Sequence, residues 1–291
     1  MTGVLEVTFT EQRGRLRAVA YRILGSLSDA DDAVQEAWLR ASAAGTDGVV
    51  NVPAWLTTIT ARVCLNMLRA RDTRREDPLE VRLPDPVVGP ASDDDPEHRA
   101  VLADQVGMAL QVVLHALAPA ERVAFVLHDL FSVPFDEIAV LLERSPAAVR
   151  QLASRARRRV QGEAPVPDAD LAAQREVVDA FFAAARAGDL DGLVRVLHPD
   201  VVIQAQGAAG AGLSVVHRGA VTVSSQAVLW GGLAPYVRPA TINGAAGAVV
   251  VQHGRVLSVM SFTVVDGKIV AAHAWSDPER LARLDLAAFT A

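Results

Sequence analysis

The chain has 291 residues, 28 basic against 34 acidic side chains, and about half of its residues are apolar. That is long enough for two domains or more and apolar enough for a sizeable core, which excludes a globally disordered chain. No apolar run approaches the ~20 residues needed to cross a bilayer, MTGVLEVTFTEQRGRLR lacks an apolar signal core, and one cysteine, Cys64, excludes an internal disulfide or a Cys-rich zinc site. A reduced, cytoplasmic setting is expected.

Residues 28–41, SDADDAVQEAWLRA, read as an amphipathic helix. Ala30, Val34, Ala37, Trp38 and Ala41 make its inner stripe. Asp32, Gln35 and Glu36 face outward with Leu39 among them. An apolar residue centred on an acidic face suits a protein partner with a basic groove; a scattered surface leucine is the ordinary alternative.

Residues 53–71, PAWLTTITARVCLNMLRAR, form a second helix with Pro53 at its start. Leu56, Ile59, Thr60, Val63 and Met67 are its expected core stripe. Trp55, Thr58, Arg62, Leu65 and Arg69 are expected on the opposite face. An aromatic ring and arginines on one face can stack unpaired bases and hold a phosphate chain. Burial of Trp55 against a neighbouring helix explains it equally well.

Residues 76–97, EDPLEVRLPDPVVGPASDDDPE, carry eight acids, one arginine and five prolines, and read as an extended connector. Helical periodicity resumes beyond it. FDEIAVLLER is a short amphipathic helix with Ile138, Ala139 and Leu142 inward. In the next stretch, Ser145 is a good N-cap and Pro146 suits the first helical position. SPAAVRQLASRARRRV then places Val149, Leu152, Ala153, Ala156 and Val160 on one stripe at about 100° per residue. Ala147, Gln151, Ser154 and Arg158 point the other way, flanked by Arg150 and Arg155. Two short helices joined by a tight turn, the second with small and basic outward residues, describe a helix-turn-helix. Small residues allow close approach to base edges, Gln151 and arginine can pair with them, and flanking arginines can neutralise phosphates. Glu143 sits at the turn, where glycine would tolerate positive φ at less cost.

A short Pro/Asp-rich stretch, QGEAPVPDAD, begins at Gln161. The chain thus divides into helical parts 1–75 and 98–161, connectors 76–97 and 162–170, and a last part 171–291. That last part opens with two helical segments and continues with HPDVVIQAQ, GAVVVQ, RVLSVMSFTVV and KIVAAHAW, which read as strands. Asn243-Gly244 and Asp266-Gly267 mark tight hairpin turns. The fold class is multidomain: two all-α domains followed by an α+β domain with a curved antiparallel sheet.

The order SDADDAVQEAWLRA, PAWLTTITARVCLNMLRAR, connector and SPAAVRQLASRARRRV closely resembles an extracytoplasmic-function RNA polymerase sigma factor over about residues 8–161. The resemblance implies that the first motif docks on core RNA polymerase through Asp29, Asp32, Gln35, Glu36 and Leu39. It implies that the second reads the minus-ten promoter element, with Trp55, Arg62, Asn66 and Arg69 on DNA. The helix-turn-helix would read the minus-thirty-five element through Ala147, Arg150, Gln151, Ser154, Arg155 and Arg158. The partners implied are core polymerase and promoter DNA, with no cofactor, metal or membrane. A basic strip in an acidic chain then has a purpose: residues 1–162 hold 19 arginines against 22 acids, and only the DNA-facing surface needs the positive charge.

The last part resembles the SnoaL-like, nuclear-transport-factor-two-like fold, a cone of helices on a sheet. A subgroup of these sigma factors carries such a domain, and two of its signatures are present. One is VRLPDP at 81–86. The other is WSDPERLARL at 275–284, where Pro278 and Leu281 match the subgroup's Asn-Pro-Asp-Lys-Leu element and Asp277, Glu279 and Arg280 depart from it. A third, Asp-Gly-Gly-Gly-Lys-like, is degraded to AQGAAGAG at 205–212. We expect Asp277, Pro278 and Leu281 to meet Leu83, Pro84, Asp85 and Pro86 and to regulate the spacing of the sigma domains.

His198, Asp200, His217, His253 and His273 are candidates for acid–base chemistry in the domain's pocket, yet His198-Pro199-Asp200 suits structural turn work and no metal-ligand spacing appears. Initiation with polymerase is favoured over catalysis. The alternative is a stand-alone helix-turn-helix regulator with a ligand-sensing or catalytic last domain, its ligand unknown; such a regulator has no use for the acidic helix bearing Leu39.

Overall fold

The computed structural model describes residues 2–74, 83–91, 107–207 and 214–290. The chain forms two compact units, Met1–Pro78 with Gln111–Ala164, and Leu79–Leu110 with Pro165–Ala291. The described part of the connector therefore belongs to the second unit.

In the helical unit α1 (Thr2–Leu24), α2 (Leu27–Ala44) and α3 (Val52–Arg74) pack as a three-helix group. Leu16, Val19 and Ile23 of α1, Ala30, Val34, Ala37 and Ala41 of α2, and Leu56, Val63 and Cys64 of α3 are buried. Ser26 caps α2 by accepting the Asp29 amide, and Asn51 Oδ1 accepts the Ala54 amide at the start of α3. Two stripes differ from expectation. Leu65, expected outward, is buried, whereas Ile59 and Met67 are half-buried. α3 contacts more than one neighbour, so its apolar stripe is wider than one helix face requires.

The rest of this unit is α4 (Met108–Ala116), joined to it from Gln111 on, α5 (Pro119–Phe125) running into a π-helical turn (Val126–Leu130), α6 (Phe135–Leu142) and α7 (Pro146–Glu163). Arg122 ties this half to the three-helix group. Its guanidinium is buried and donates to the carbonyls of Ile23 (2.8 Å), His115 (2.6 Å) and Leu117 (3.2 Å), which closes the exposed carbonyls at two helix ends. Burial lowers its pKa to about 10. Gln111 adds a donor to the Tyr21 carbonyl.

The second unit is α+β. Helices α8 (Leu171–Ala187), α9 (Leu190–Val196) and α10 (Ala220–Leu229) pack on a sheet of β1 (Val88–Pro90), β2 (Leu197–Gln206), β3 (Ser214–Arg218), β4 (Val237–Ile242), β5 (Ala245–Gln252), β6 (Arg255–Val265) and β7 (Lys268–Trp275). The order is β1-β4-β5-β6-β7-β2-β3, parallel between β2 and β7 and antiparallel elsewhere. Asp170 and Asp189 cap α8 and α9. Phe181, Phe182 and Phe262 fill the space between helices and sheet with ring centroids 5.4–5.7 Å apart. Both anticipated hairpin turns have positive φ at two residues, and a third, His253-Gly254, joins β5 to β6 in the same way. Asp168 from the short connector accepts the amides of Asp266 and Gly267 and so braces the β6–β7 turn. Short helices α11 (Pro278–Leu281) and α12 (Ala287–Thr290) end the chain.

Candidate functional site

The helix-turn-helix is built by local chemistry. α6 ends at Glu143, whose φ of 55° and ψ of 44° are left-handed, the conformation the turn demands. Ser145 accepts the Ala148 amide at 3.2 Å and Pro146 opens α7. Val149, Leu152, Ala153 and Ala156 are buried, and α7 packs on α5 and α6. Val160 is only half-buried. Ala147, Arg150, Gln151, Ser154, Arg155 and Arg158 are all exposed.

The arginines of α7 are not equivalent. Arg155 pairs with Glu121 at 2.7 Å and Arg157 with Asp129 at 2.5 Å, so two are bound to the acids of the preceding helical segment. Arg150 instead lies over the Phe135 ring. Periodicity placed Arg155 on the outward flank, and its pairing with Glu121 was invisible to it.

On α2, Asp32, Gln35 and Leu39 are exposed and Glu36 pairs with Arg40 at 2.7 Å. Asp29, grouped with them in the sequence, is tied within the chain to Arg71 of α3. Trp38 packs against Phe9 with the rings tilted 45° and centroids 4.7 Å apart, beside a groove of about 280 Å³ bordered by Arg13, Arg17 and Gln35. On α3, Arg62, Asn66 and Arg69 are exposed and Trp55 is half-buried. The thiol of Cys64 is buried and its pKa is pushed up to about 12, which makes it unreactive.

In the α+β unit, three stretches singled out in the sequence meet. The strap 83–90 lies along the sheet: Val88 pairs with Ile242, Gly89 with Thr241 and Pro90 with Ala240. Val87 and Asn243 exchange two hydrogen bonds of 2.9 Å. Leu83 is 1% exposed, and the Pro84 carbonyl accepts the Trp275 indole N–H at 3.1 Å. Arg280 fastens the strap. Its side chain pairs with Asp85 at 2.8 Å and also donates to the Leu83 carbonyl and to Gln206. Asp277 caps α11 by accepting the Arg280 amide at 3.0 Å, Pro278 takes the first helical position, and Leu281 is buried. Gly207 lies against Asp277: a Cβ there would stand 2.5 Å from the Asp277 nitrogen, and its φ of 86° is left-handed besides. The remainder of that loop, 208–213, lies outside the described residues, as do Val81, Arg82 and the acidic run 92–97.

Arg280, Gln206, Trp275 and Asn243 were not anticipated. Arg280 stands where the subgroup motif has lysine, so the position carries a basic signal although the residue departs from the motif. Asn243 is legible as a turn residue and Trp275 as part of the WSDPERLARL match, but nothing local marks either of them, or Gln206, as a partner of the strap.

The acid–base candidates are dispersed. His198 Nδ1 accepts the Asp200 amide at 3.2 Å, which is turn work. His217 is half-buried on the edge strand β3, and His253 is exposed in a hairpin turn. His273 lies on the sheet face opposite Ala272, beside Ser261 and Trp275. Burial lowers its pKa to about 4, so it is neutral at physiological pH. Among the described residues no group of three or more His, Cys, Asp or Glu side chains could hold a metal, and no helix is long and apolar enough to cross a membrane.

Residues 8–74 match the family model for sigma-70 region 2, and residues 107–160 match the one for sigma-70 region 4. A probable ECF RNA polymerase sigma factor SigI of Mycobacterium tuberculosis (strain CDC 1551 / Oshkosh) is 34% identical over 275 residues, 92% of this chain and 92% of that protein. The ECF RNA polymerase sigma factor SigJ of Mycobacterium tuberculosis (strain ATCC 25618 / H37Rv) is 48% identical over 195 residues, 66% of this chain but only 62% of that relative. The crystal structure of the Mycobacterium tuberculosis extracytoplasmic function sigma factor SigJ superposes with a TM-score of 0.76 at 38% identity, covering 96% of this chain and 99% of that one.

Proposed function

The chain belongs to the ECF RNA polymerase sigma factors, and from that premise we propose how its two units share the work. It binds core RNA polymerase and directs promoter-specific initiation. The outward face of α2, carrying Asp32, Gln35, Glu36 and Leu39, is the polymerase-docking surface. The outward face of α3, with Trp55, Arg62, Asn66 and Arg69, meets the minus-ten element, and that of α7 meets the minus-thirty-five element. A cytoplasmic site of action follows from the polymerase. The observation that carries this reading is the α6–α7 pair, capped by Ser145, whose small and basic outward residues are all exposed.

The α+β unit acts as a regulator of initiation and not as a catalyst. The strap 83–90 lies between α3 and α4 in the chain, and Arg280 and β4 hold it in the sheet. Anchoring it divides the connector between the two promoter-reading parts into two shorter tethers. Shorter tethers restrict the separations those parts can reach, which is how a covalently fused domain changes promoter use without a large new contact.

The test is in-vitro transcription on fragmented genomic DNA with core polymerase, comparing the full chain, a chain ending at Gln161 and the full-length Arg280→Ala variant. Specific start sites are expected from the full chain or the truncated one. Silence from both would return the stand-alone regulator. Start-site choice or yield in Arg280→Ala that shifts toward the truncated chain supports the strap as the point of control; a variant indistinguishable from the full chain sinks that part alone.

A further inference from the structure

Phe135, the first residue of α6, touches His128 of the preceding π-helical turn and Arg150 of α7. The His128 ring stacks on it with centroids 3.7 Å apart and planes 27° from parallel. The Arg150 guanidinium carbon lies 5.6 Å from the Phe135 centroid. His128 is itself fixed, its Nδ1 donating to the Val133 carbonyl at 3.1 Å. It belongs to the π-helical turn Val126–Leu130, and a π turn inserts one residue and re-aims the side chains around it.

The two flanking arginines of α7 are therefore held differently. At about 100° per residue Arg150 and Arg155 lie on opposite edges of the face defined by Ala147, Gln151, Ser154 and Arg158. Arg155 is oriented by a carboxylate, which also cancels its charge. Arg150 is oriented by a neutral ring and has no carboxylate partner among the described residues, so its full charge remains available to an anion. Its lean is toward the start of α6, and in this motif the first helix crosses the DNA backbone.

We infer that the His128–Phe135 stack positions Arg150 as a phosphate clamp that sets the register of α7 and reads no base. A guanidinium fork suits phosphate oxygens, and holding it beforehand removes part of the ordering cost of the contact. The inference rests on α7 being the promoter-reading helix.

The full chain, assembled with core polymerase on a promoter duplex recovered from the transcription assay, tests it across a range of salt. Arg150→Ala is expected to weaken binding about ten-fold, to flatten the slope of log affinity against log salt by about 0.9, and to leave preference across single-base-pair substitutions unchanged. Phe135→Leu should reproduce much of the loss, Phe135→Trp should restore binding, and Phe135→Leu/Arg150→Ala should be no weaker than Arg150→Ala. Circular dichroism and thermal unfolding matched to the parent show whether Phe135→Leu is folded; if it is not, Phe135→Met against Phe135→Tyr makes the same comparison. Wild-type affinity in the ring-removing variant, additive losses in the double variant, or altered preference at one base pair in Arg150→Ala would overturn the clamp. If Gln151→Ala and Arg158→Ala also change nothing, the reading of α7 fails instead.

Discussion

The strap junction of the α+β unit and the outward face of α7 are both built on arginine, and they use it in opposite ways. Arg280 is 6% exposed and its donors all meet partners of the same chain, Asp85, Leu83 and Gln206. Arg150 and Arg158 are exposed, and Arg150 is steadied by an aromatic ring. A buried guanidinium must have its donors satisfied inside the chain, or the cost of leaving water is not recovered. An exposed one stays hydrated, contributes little to the fold, and keeps its charge for another molecule. Arg122 follows the buried pattern in part: its two terminal nitrogens donate to three carbonyls, while its Nε meets no acceptor among the described residues.

The contrast breaks most readily at Arg280. Arg280→Ala removes the buried ion pair to Asp85 and the donor to the Leu83 carbonyl, and should cost about 3–5 kcal/mol locally. Hydrogen exchange should then accelerate in β1 and β4 while α7 is unchanged; unaltered protection in β1 would mean that backbone pairing alone holds the strap.

His273 sharpens the comparison through pH. Its pKa falls from 6.5 to about 4 on folding, because burial disfavours the charged form. Between those values the unfolded chain binds the extra proton, so this contribution to stability is fully present above pH 6.5 and is lost as pH falls toward 4. The slope is at most about 1.4 kcal/mol per pH unit. Denaturant unfolding of the α+β unit should show it, and His273→Leu should flatten it; an equal slope in that variant would place the titration elsewhere.

On the exposed side, Arg158→Ala should leave unfolding unchanged and weaken promoter binding by about 1–3 kcal/mol if the side chain meets a base. Parent affinity and preference would reduce Arg158 to surface charge. The smallest expected effect is at Glu143. Glycine relieves the left-handed backbone but frees the unfolded chain, so Glu143→Gly should stabilise the helix-turn-helix by about 0.5–1 kcal/mol. A destabilised variant in thermal unfolding would show that the glutamate side chain contributes a contact of its own.

The sequence by itself determined the parts whose causes are local. Caps, positive-φ turns and helical periodicity act over a few residues, so Ser145, Glu143, Asn243-Gly244, Asp266-Gly267 and the exposed face of α7 were legible before any fold was known. The match of VRLPDP and WSDPERL to a known pattern brought the two strap partners together by resemblance, without saying which atoms meet. Tertiary structure alone decided the rest. Arg280 and Asp85 stand 195 positions apart, and their pairing depends on the register of β1 against β4. Strand alternation left His273 free to point either way until the helices covered the Ala272 face. Leu65 went inward and Arg155 found Glu121 for the same reason: a side chain's surroundings are set by the elements packed beside it, and nothing within one helix specifies which elements those are.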